Sequence, residues 1–360
     1  MEARARIPEL DGLRGVAVLA VIASHYAYTR LTPVLELGWA GVDLFFVLSG
    51  FLITGILRRT RTADAFYGPF WTRRVRRIWP LAFGVLAAYY GAAWLLAPAL
   101  AFQPLWIVYF LALQSIVVPT LPADAPLWMH HYAGIAWSLS VEEWFYVIWA
   151  PIVRMIERRG LILLCTLLIA GSPAIRFVVH RAAFPEYFLL VTRADSLAWG
   201  AAAALLLEDG TFAAILRRRR HIALAGAIAA VLLLLVWTDG MNRSLMATAV
   251  LGYSVIDASA AVVLLSLAVS SGSTFRAAQI ARWRWLRHAG VVSYGMYLFH
   301  MPVFDLTRFL LSSDSRSTRV VALAVTAGIA SLSWRYFESP ILNAGSRPTM
   351  WSRRPAALAP

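Results

Sequence analysis

Residues 11–28 read DGLRGVAVLAVIASHYAY. The stretch is long and apolar enough for a membrane helix, yet it holds Arg14 and His25, where an ionisable group is costly unless it has a partner or a use. Eleven residues separate the two. At about 100° per residue, eleven steps overshoot three turns by only about 20° and rise about 16 Å. One helix face therefore carries a fixed positive charge and, well along it, an imidazole. Taken singly, such an arginine can snorkel to the interface and such a histidine can hydrogen-bond a neighbouring helix.

The composition puts this helix in a membrane protein. Of 360 residues, 60% are apolar and 14% charged, a balance foreign to soluble domains of this length. The expectation is an all-α polytopic membrane protein, one domain over residues 1–340 with a short basic tail over 341–360. The first apolar segment is too long for a signal peptide, carries Arg14 and lacks a small-residue cleavage site. Every basic side chain is arginine, which excludes a lysine nucleophile or Schiff base and, with the many alanines, suggests a bacterial source. The formal charge of +14 is explained by cytoplasmic loops in an inner membrane rather than by nucleic acid. The single Cys165 excludes an internal disulfide, and no metal is expected.

Segments near 12–29, 39–57, 79–97, 136–153, 161–179, 189–207, 221–237, 247–269, 289–311 and 319–337 each approach the roughly 20 residues a span needs. About ten spans put both termini on one side. The arginine clusters at Arg4 and Arg6, Arg58 to Arg77, Arg154 to Arg159, Arg217 to Arg220, Arg276 to Arg287 and Arg347 to Arg354 share that side, which marks it cytoplasmic. Residues 103–118 are too short for a span and suit a re-entrant or interfacial segment. The following PTLPADAPLWMHHYAG, residues 119–134, reads as an external loop whose Trp128 and Tyr132 are interface anchors or part of an acceptor mouth.

Further polar groups fall at membrane depth. By this topology His25 and Asp43 (in GWAGVDLFFVLSGFLIT) both lie about 6 Å below the outer boundary, with Glu142 and Glu143 (in AWSLSVEEWFYVIWAP) about 9 to 11 Å deep on the same side. A carboxylate that orients a histidine and stabilises its protonated form is the usual setting of a general base; a helix-packing network is the plainer alternative. The two glutamates point about 100° apart, so both cannot face one partner. On the cytoplasmic side, FWTRRVRRIWP gathers Arg73, Arg74, Arg76 and Arg77 beside Trp71 and Trp79, a set suited to phosphates and a flat base or to lipid headgroups. Ser293, Tyr297 and His300 in SYGMYLFHMPV share a helix face about 10 Å long, either the lining of a tunnel or a packing seam.

These motifs together resemble the acyltransferase-3 family of membrane-bound O-acyltransferases. LDGLRGVAVLAVIASHY, GVDLFFVLSGFLI, RRVRRIWP, WSLSVEEWFY, SYGMYLFHMPV and WRYFESP occur in the family's order over nearly the whole chain. The resemblance implies transfer of an acyl group, usually acetyl, from cytosolic acyl-CoA to a hydroxyl on the far side of the bilayer. It implies His25 as the catalytic residue with Arg14 serving the same site, and Arg73, Arg74, Arg76 and Arg77 as the CoA-binding cluster. Ser293 and His300, and the terminal Phe337, Glu338 and Pro340, are further family positions. Many relatives continue into an extracytoplasmic SGNH-type domain. The basic tail here is similar to stand-alone members, which deliver the acyl group directly or through a separate partner.

The resulting expectation is an acyl-CoA-dependent O-acyltransferase whose acceptor is a glycan or glycosylated molecule. Arg14 and the arginine cluster hold the donor, Ser293, Tyr297 and His300 line its path, and His25, oriented by Asp43, Glu142 or Glu143, removes the hydroxyl proton. Glu338 at the cytoplasmic end orders the CoA side or pairs with an arginine. The alternatives are a proton-coupled transporter or flippase relaying protons through His25, Asp43 and Glu142, and a haem protein using His25 and His300. The second conflicts with the different depths expected for the two histidines.

Overall fold

The computed structural model describes residues 7–26, 37–96, 113, 115, 127–182, 186–238, 240 and 245–344. Among these residues the chain is all helical. The helices are α1 (Pro8–Tyr26), α2 (Ala40–Thr60), α3 (Tyr67–Leu96), α4 (Leu127–Met155), α5 (Arg158–Arg181), α6 (Leu190–Leu206) and α7 (Gly210–Trp237). They continue with α8 (Tyr253–Ala268), α9 (Arg276–Ala281), α10 (Arg284–Val291), α11 (Ser293–Leu311), α12 (Arg316–Ser333) and α13 (Ser339–Asn343). Short π turns, Thr248–Gly252 and Trp334–Glu338, lead into α8 and α13. Among the described residues, five stretches are long and apolar enough to cross a membrane: Leu37–Thr60, Arg158–Arg181, Gly210–Trp237, Thr248–Ala268 and Arg316–Asn343. The apolar windows of α5, α7 and the α12–α13 stretch are mostly exposed, as lipid-facing helices would be.

Helices α2 and α6 form the centre. Gly50 of α2 lies against the carbonyl of Leu197, and Gly200 of α6 lies against the carbonyl of Val47, so a Cβ at either position would collide with backbone. Reciprocal glycines let two helices approach to backbone contact, the device that drives helix association where burial from water contributes nothing. Around this pair, Phe46, Ile53 and Leu57 of α2 pack with Trp149 and Val153 of α4, Leu161 of α5 and Leu197 of α6. A second cluster joins Val18, Ile22 and Tyr26 of α1 to Met296 and Phe304 of α11 and to Ala322 and Ala330 of α12. It is this cluster that carries the C-terminal end of α1 to the middle of α11.

Two expected elements differ. The span near 289–311 is broken at Val292, which has φ −93° and ψ 8°. The residues before it form α10, where Gly290 sits against the carbonyl of Asp11 in α1. The fourth span begins earlier than expected, because Leu127 to Gly134, read as part of an external loop, are the first turns of α4. That extension places Glu142 and Glu143 near the middle of a 29-residue helix. The segment 103–118, apart from residues 113 and 115, lies outside the described residues, as do Arg4, Arg6 and the tail from 345 onward.

Candidate active site

A cavity of about 110 Å³ lies between α1, α2, α3, α4 and α11, room for several water molecules. Arg14, Arg74 and Arg77 project to it, facing Glu142, Tyr146 and Ser293. Arg74 and Arg77 are three residues apart and so share one face of α3. The four-arginine cluster is thereby divided: Arg73 is exposed, and neither Arg73 nor Arg76 belongs to the cavity wall. The Arg74 guanidinium lies 5.1 Å from the ring centre of Tyr146 and 5.9 Å from that of Phe70, so aromatic faces fix its direction. Trp79 donates to Glu143 at 3.2 Å and meets Phe83 edge-on, and Trp71 packs against Phe70.

Glu142 is held as an acceptor. Ser49 Oγ donates to its Oε1 at 2.7 Å and Tyr146 Oη donates to its Oε2 at 2.6 Å. Among the described residues, three guanidiniums and one carboxylate stand in the wall, with Asp11 outside it 4.0 Å from Arg14, and guanidiniums bordering open space suit an anion,. The start of α11 adds to this. Ser293 is the helix's first residue, Val292 supplies no side-chain cap, and first-turn N–H groups of a helix lack intrahelical acceptors and attract negative charge. Behind Arg77 lies Glu338, buried, accepting from Ser333 Oγ at 3.0 Å and close enough for its charge to act on Arg77.

Tyr297 links this cavity to the histidines. Its hydroxyl borders the cavity and is 2.7 Å from Ser138 Oγ, while its backbone oxygen is 2.6 Å from His300 Nδ1. His300, fully buried, places Nε2 at 3.0 Å from His25 Nδ1, and the ring centroids are 5.0 Å apart. Tyr26 Oη donates to the His300 carbonyl at 2.6 Å, and the Tyr26 ring stacks on Phe304. Arg319 of α12 donates to the Tyr26 carbonyl, closing the end of α1. Arg14 and Ser293 meet at one level and Tyr26 and His300 at another, so α1 and α11 advance in the same direction.

That arrangement corrects several expectations. His300 lines no part of the arginine cavity; it contacts His25, because one more turn of α11 beyond Tyr297 brings it level with the end of α1. The depth difference that argued against a shared ligand is therefore absent. Even so, 3.0 Å between facing nitrogens leaves no room for an ion, which needs two bonds of about 2 Å each. Asp43 does not orient His25: it forms a fully buried ion pair with Arg193 of α6. Glu142 serves the arginine cavity and Glu143 bonds Trp79. The proton relay through His25, Asp43 and Glu142 is not assembled, since Asp43 and Glu142 each bond other partners.

Sequence reasoning also missed a polar core beside the site. Arg176 donates to both oxygens of Asp195 at 2.9 Å, to the Thr192 carbonyl and to Ser254. Ser254 in turn donates to Asp195, and Ser196 donates to Asp257 at 2.8 Å. Arg193 stands over the rings of Tyr253, Tyr187 and Phe46 at 4.5, 5.2 and 5.8 Å. The signal was present: Arg193 and Asp195 lie within the span near 189–207, where ionisable residues mark a partner or a use.

Residues 7–336 match the acyltransferase domain that defines the acyltransferase-3 family. The chain belongs to this family. Among curated proteins, it is similar to the putative peptidoglycan O-acetyltransferase YrhL of Bacillus subtilis (strain 168), 30% identical over 97% of this chain and 56% of that protein. The peptidoglycan O-acetyltransferase OatA of Listeria monocytogenes is 26% identical over 95% of this chain and 57% of its own length. The O-acetyltransferase OatA of Staphylococcus aureus (strain NCTC 8325 / PS 47) is 26% identical over 94% and 58%. The acyltransferase-3 chain thus spans just over half the length of these relatives. No solved structure matches it.

Proposed function

We propose that this acyltransferase-3 protein is a membrane-embedded O-acyltransferase of a bacterial inner membrane, with about ten spans and both termini cytoplasmic. Its donor is acyl-CoA, with acetyl the favoured group given its relatives. Its acceptor is a hydroxyl of an extracytoplasmic or lipid-linked glycan, of which peptidoglycan is the example its relatives supply. A separate extracytoplasmic partner for onward transfer fits the same scheme. One observation carries the reading: an arginine-walled cavity and a histidine pair stand on either side of Tyr297, a donor-type anion site backing onto a proton acceptor.

Arg14, Arg74 and Arg77, with the start of α11, hold negative charge on the donor, and Arg73 and Arg76 meet its phosphates outside the cavity. The thioester end reaches past Tyr297 toward His25. There the hydroxyl proton passes to the imidazole as the oxygen attacks the thioester carbonyl. The C–S bond breaks, the ester forms, and the CoA thiolate takes a proton from water while His25 returns the hydroxyl proton to water, which resets the base. General-base assistance of this kind contributes about 10²- to 10⁴-fold, and fixed positioning supplies much of the remainder.

The test supplies labelled acetyl-CoA to membranes of the native host, with the chromosomal gene replaced, and follows CoA release and the labelled product by mass spectrometry. His25→Ala is expected to lower turnover at least about 100-fold while the protein keeps its thermal unfolding midpoint in detergent. Turnover near wild type in a folded His25→Ala protein would remove His25 from the chemistry.

A further inference from the structure

We infer that the outward face of α9 and α10, within residues 276–288, is a docking surface for an anionic phospholipid of the cytoplasmic leaflet. The name of the leaflet rests on the topology proposed above; the surface itself does not. Its frame is set by α1. A Cβ on Gly12 or Gly15 would strike the carbonyl of Ala281 or Leu286, and one on Gly290 would strike the carbonyl of Asp11. Backbone contact of this kind fixes one side of α10 against α1. Leu286 and Gly290, four residues apart, lie on that side, and at 100° per residue Arg284, Arg287 and His288 fall on the opposite one.

The outward side is both basic and aromatic. Arg276, Arg284 and Arg287 are exposed, as are Trp283 at 59% and Trp285 at 78%. Among the described residues none of these three arginines meets a carboxylate, and no acidic residue occurs in the sequence between Asp257 and Asp305. Arg282 supplies the contrast. It donates to the Ser273 carbonyl at 2.7 Å and stands 3.5 Å from the buried Glu9, so the fold itself uses that charge.

Charge and aromatic area together select the occupant. A tryptophan exposed over most of its surface is costly in water and favourable at headgroup level, where its ring meets acyl carbon and its N–H meets polar groups. Arginines on an amphipathic helix attract anionic headgroups and grip a phosphodiester with paired N–H donors. The Arg284 guanidinium lies 5.9 Å from the ring centre of Trp285, so both features act at one place. Location agrees. Helices α9 and α10 connect α8, part of a stretch long and apolar enough to cross a membrane, to α11. A short amphipathic connection at the end of such a helix lies in the headgroup plane.

The experiment takes the purified full chain in mixed micelles and follows its unfolding midpoint as phosphatidylglycerol or phosphatidylcholine is added. Micelles impose no sidedness and no turnover is measured, so the result is independent of both the topology and the role of His25. The wild type is expected to be stabilised by phosphatidylglycerol and not by phosphatidylcholine, with the gain falling as salt is raised. Arg284→Gln with Arg287→Gln should raise the half-saturating phosphatidylglycerol content about 30-fold, equivalent to about 2 kcal/mol, about 1 for each arginine at an anionic surface. Arg284→Lys with Arg287→Lys keeps the charge and should stay within about threefold of wild type. Arg181→Gln with Arg316→Gln, exposed arginines elsewhere, should leave the response unchanged. Midpoints in phosphatidylcholine micelles establish that each variant folds. Equal responses of the wild type to the two lipids, or equal losses in the two glutamine pairs, would overturn the inference. Inorganic phosphate stabilising the wild type as well as phosphatidylglycerol does would make the face a free-anion site and overturn it too. The remaining rival is the donor's phosphate, because α10 leads into Ser293 of the arginine cavity. Weakened acetyl-CoA binding by the Arg284→Gln, Arg287→Gln protein in phosphatidylcholine micelles would assign the face to that ligand instead.

Discussion

Two groups of arginines inside one bundle have opposite fates. Arg176 and Arg193 are fully buried and each faces a carboxylate, Asp195 and Asp43. Arg14, Arg74 and Arg77 border a cavity whose described lining holds one carboxylate, Glu142, with Asp11 4.0 Å from Arg14 and Glu338 near Arg77 outside that lining. Residue type is the same in both. What differs is access: guanidiniums closed over by their own carboxylates hold helices together, and guanidiniums that border open space are set for an anion from outside. Asp43, which sequence reasoning assigned to catalysis, belongs to the first group.

The largest effect tests that assignment. Removing one partner of a buried ion pair costs about 3–5 kcal/mol, while replacing both by apolar residues of similar volume is often neutral or stabilising. Arg193→Met should therefore lower the unfolding free energy in detergent by about 3–5 kcal/mol. The double variant Asp43→Leu with Arg193→Met should recover most of it and retain turnover. A stable but inactive double variant would return Asp43 to the chemistry and break the comparison.

The smallest effect comes from a third environment, where charge is neither paired nor enclosed. Asp209 caps α7, accepting from the N–H of Thr211 at 2.8 Å and of Phe212 at 3.4 Å. These bonds favour the charged form and hold the carboxyl below its ordinary 3.8. A lowered folded-state value means the unfolded chain binds the proton more readily, so the contribution is present above 3.8 and fades as pH falls through the folded value,. Asn can supply the same acceptor without titrating. The difference in unfolding midpoint between wild type and Asp209→Asn should shrink as pH is lowered from 5 to about 3. A difference that stays constant over that interval would show that charge plays no part in this cap.

Helix faces were legible in the sequence because periodicity is a local property. Arg74 and Arg77, three residues apart, do share a wall with Arg14, and Ser293 and Tyr297, four apart, do line the same cavity. Helix pairing was not legible. Nothing in GVDLFFVLSGFLI says that Asp43 will meet Arg193 rather than His25, since that depends on Gly50 and Gly200 drawing α2 against α6. The start of α4 escaped for a related reason: polar residues around His130 and His131 hid its first turns. His300 was assigned with its helix neighbours, although one turn beyond Tyr297 was enough to carry it from the donor cavity to His25.

The central claim is that open arginines serve a ligand and closed ones serve the fold. Acetyl-CoA binding to the purified full chain, measured by calorimetry, tests it most directly. Each charge-assisted hydrogen bond is worth about 1.5–3 kcal/mol, so Arg74→Gln with Arg77→Gln should weaken binding at least about 100-fold. Asp43→Leu with Arg193→Met should bind acetyl-CoA as the wild type does. Undiminished binding by the folded Arg74→Gln, Arg77→Gln protein would contradict the account.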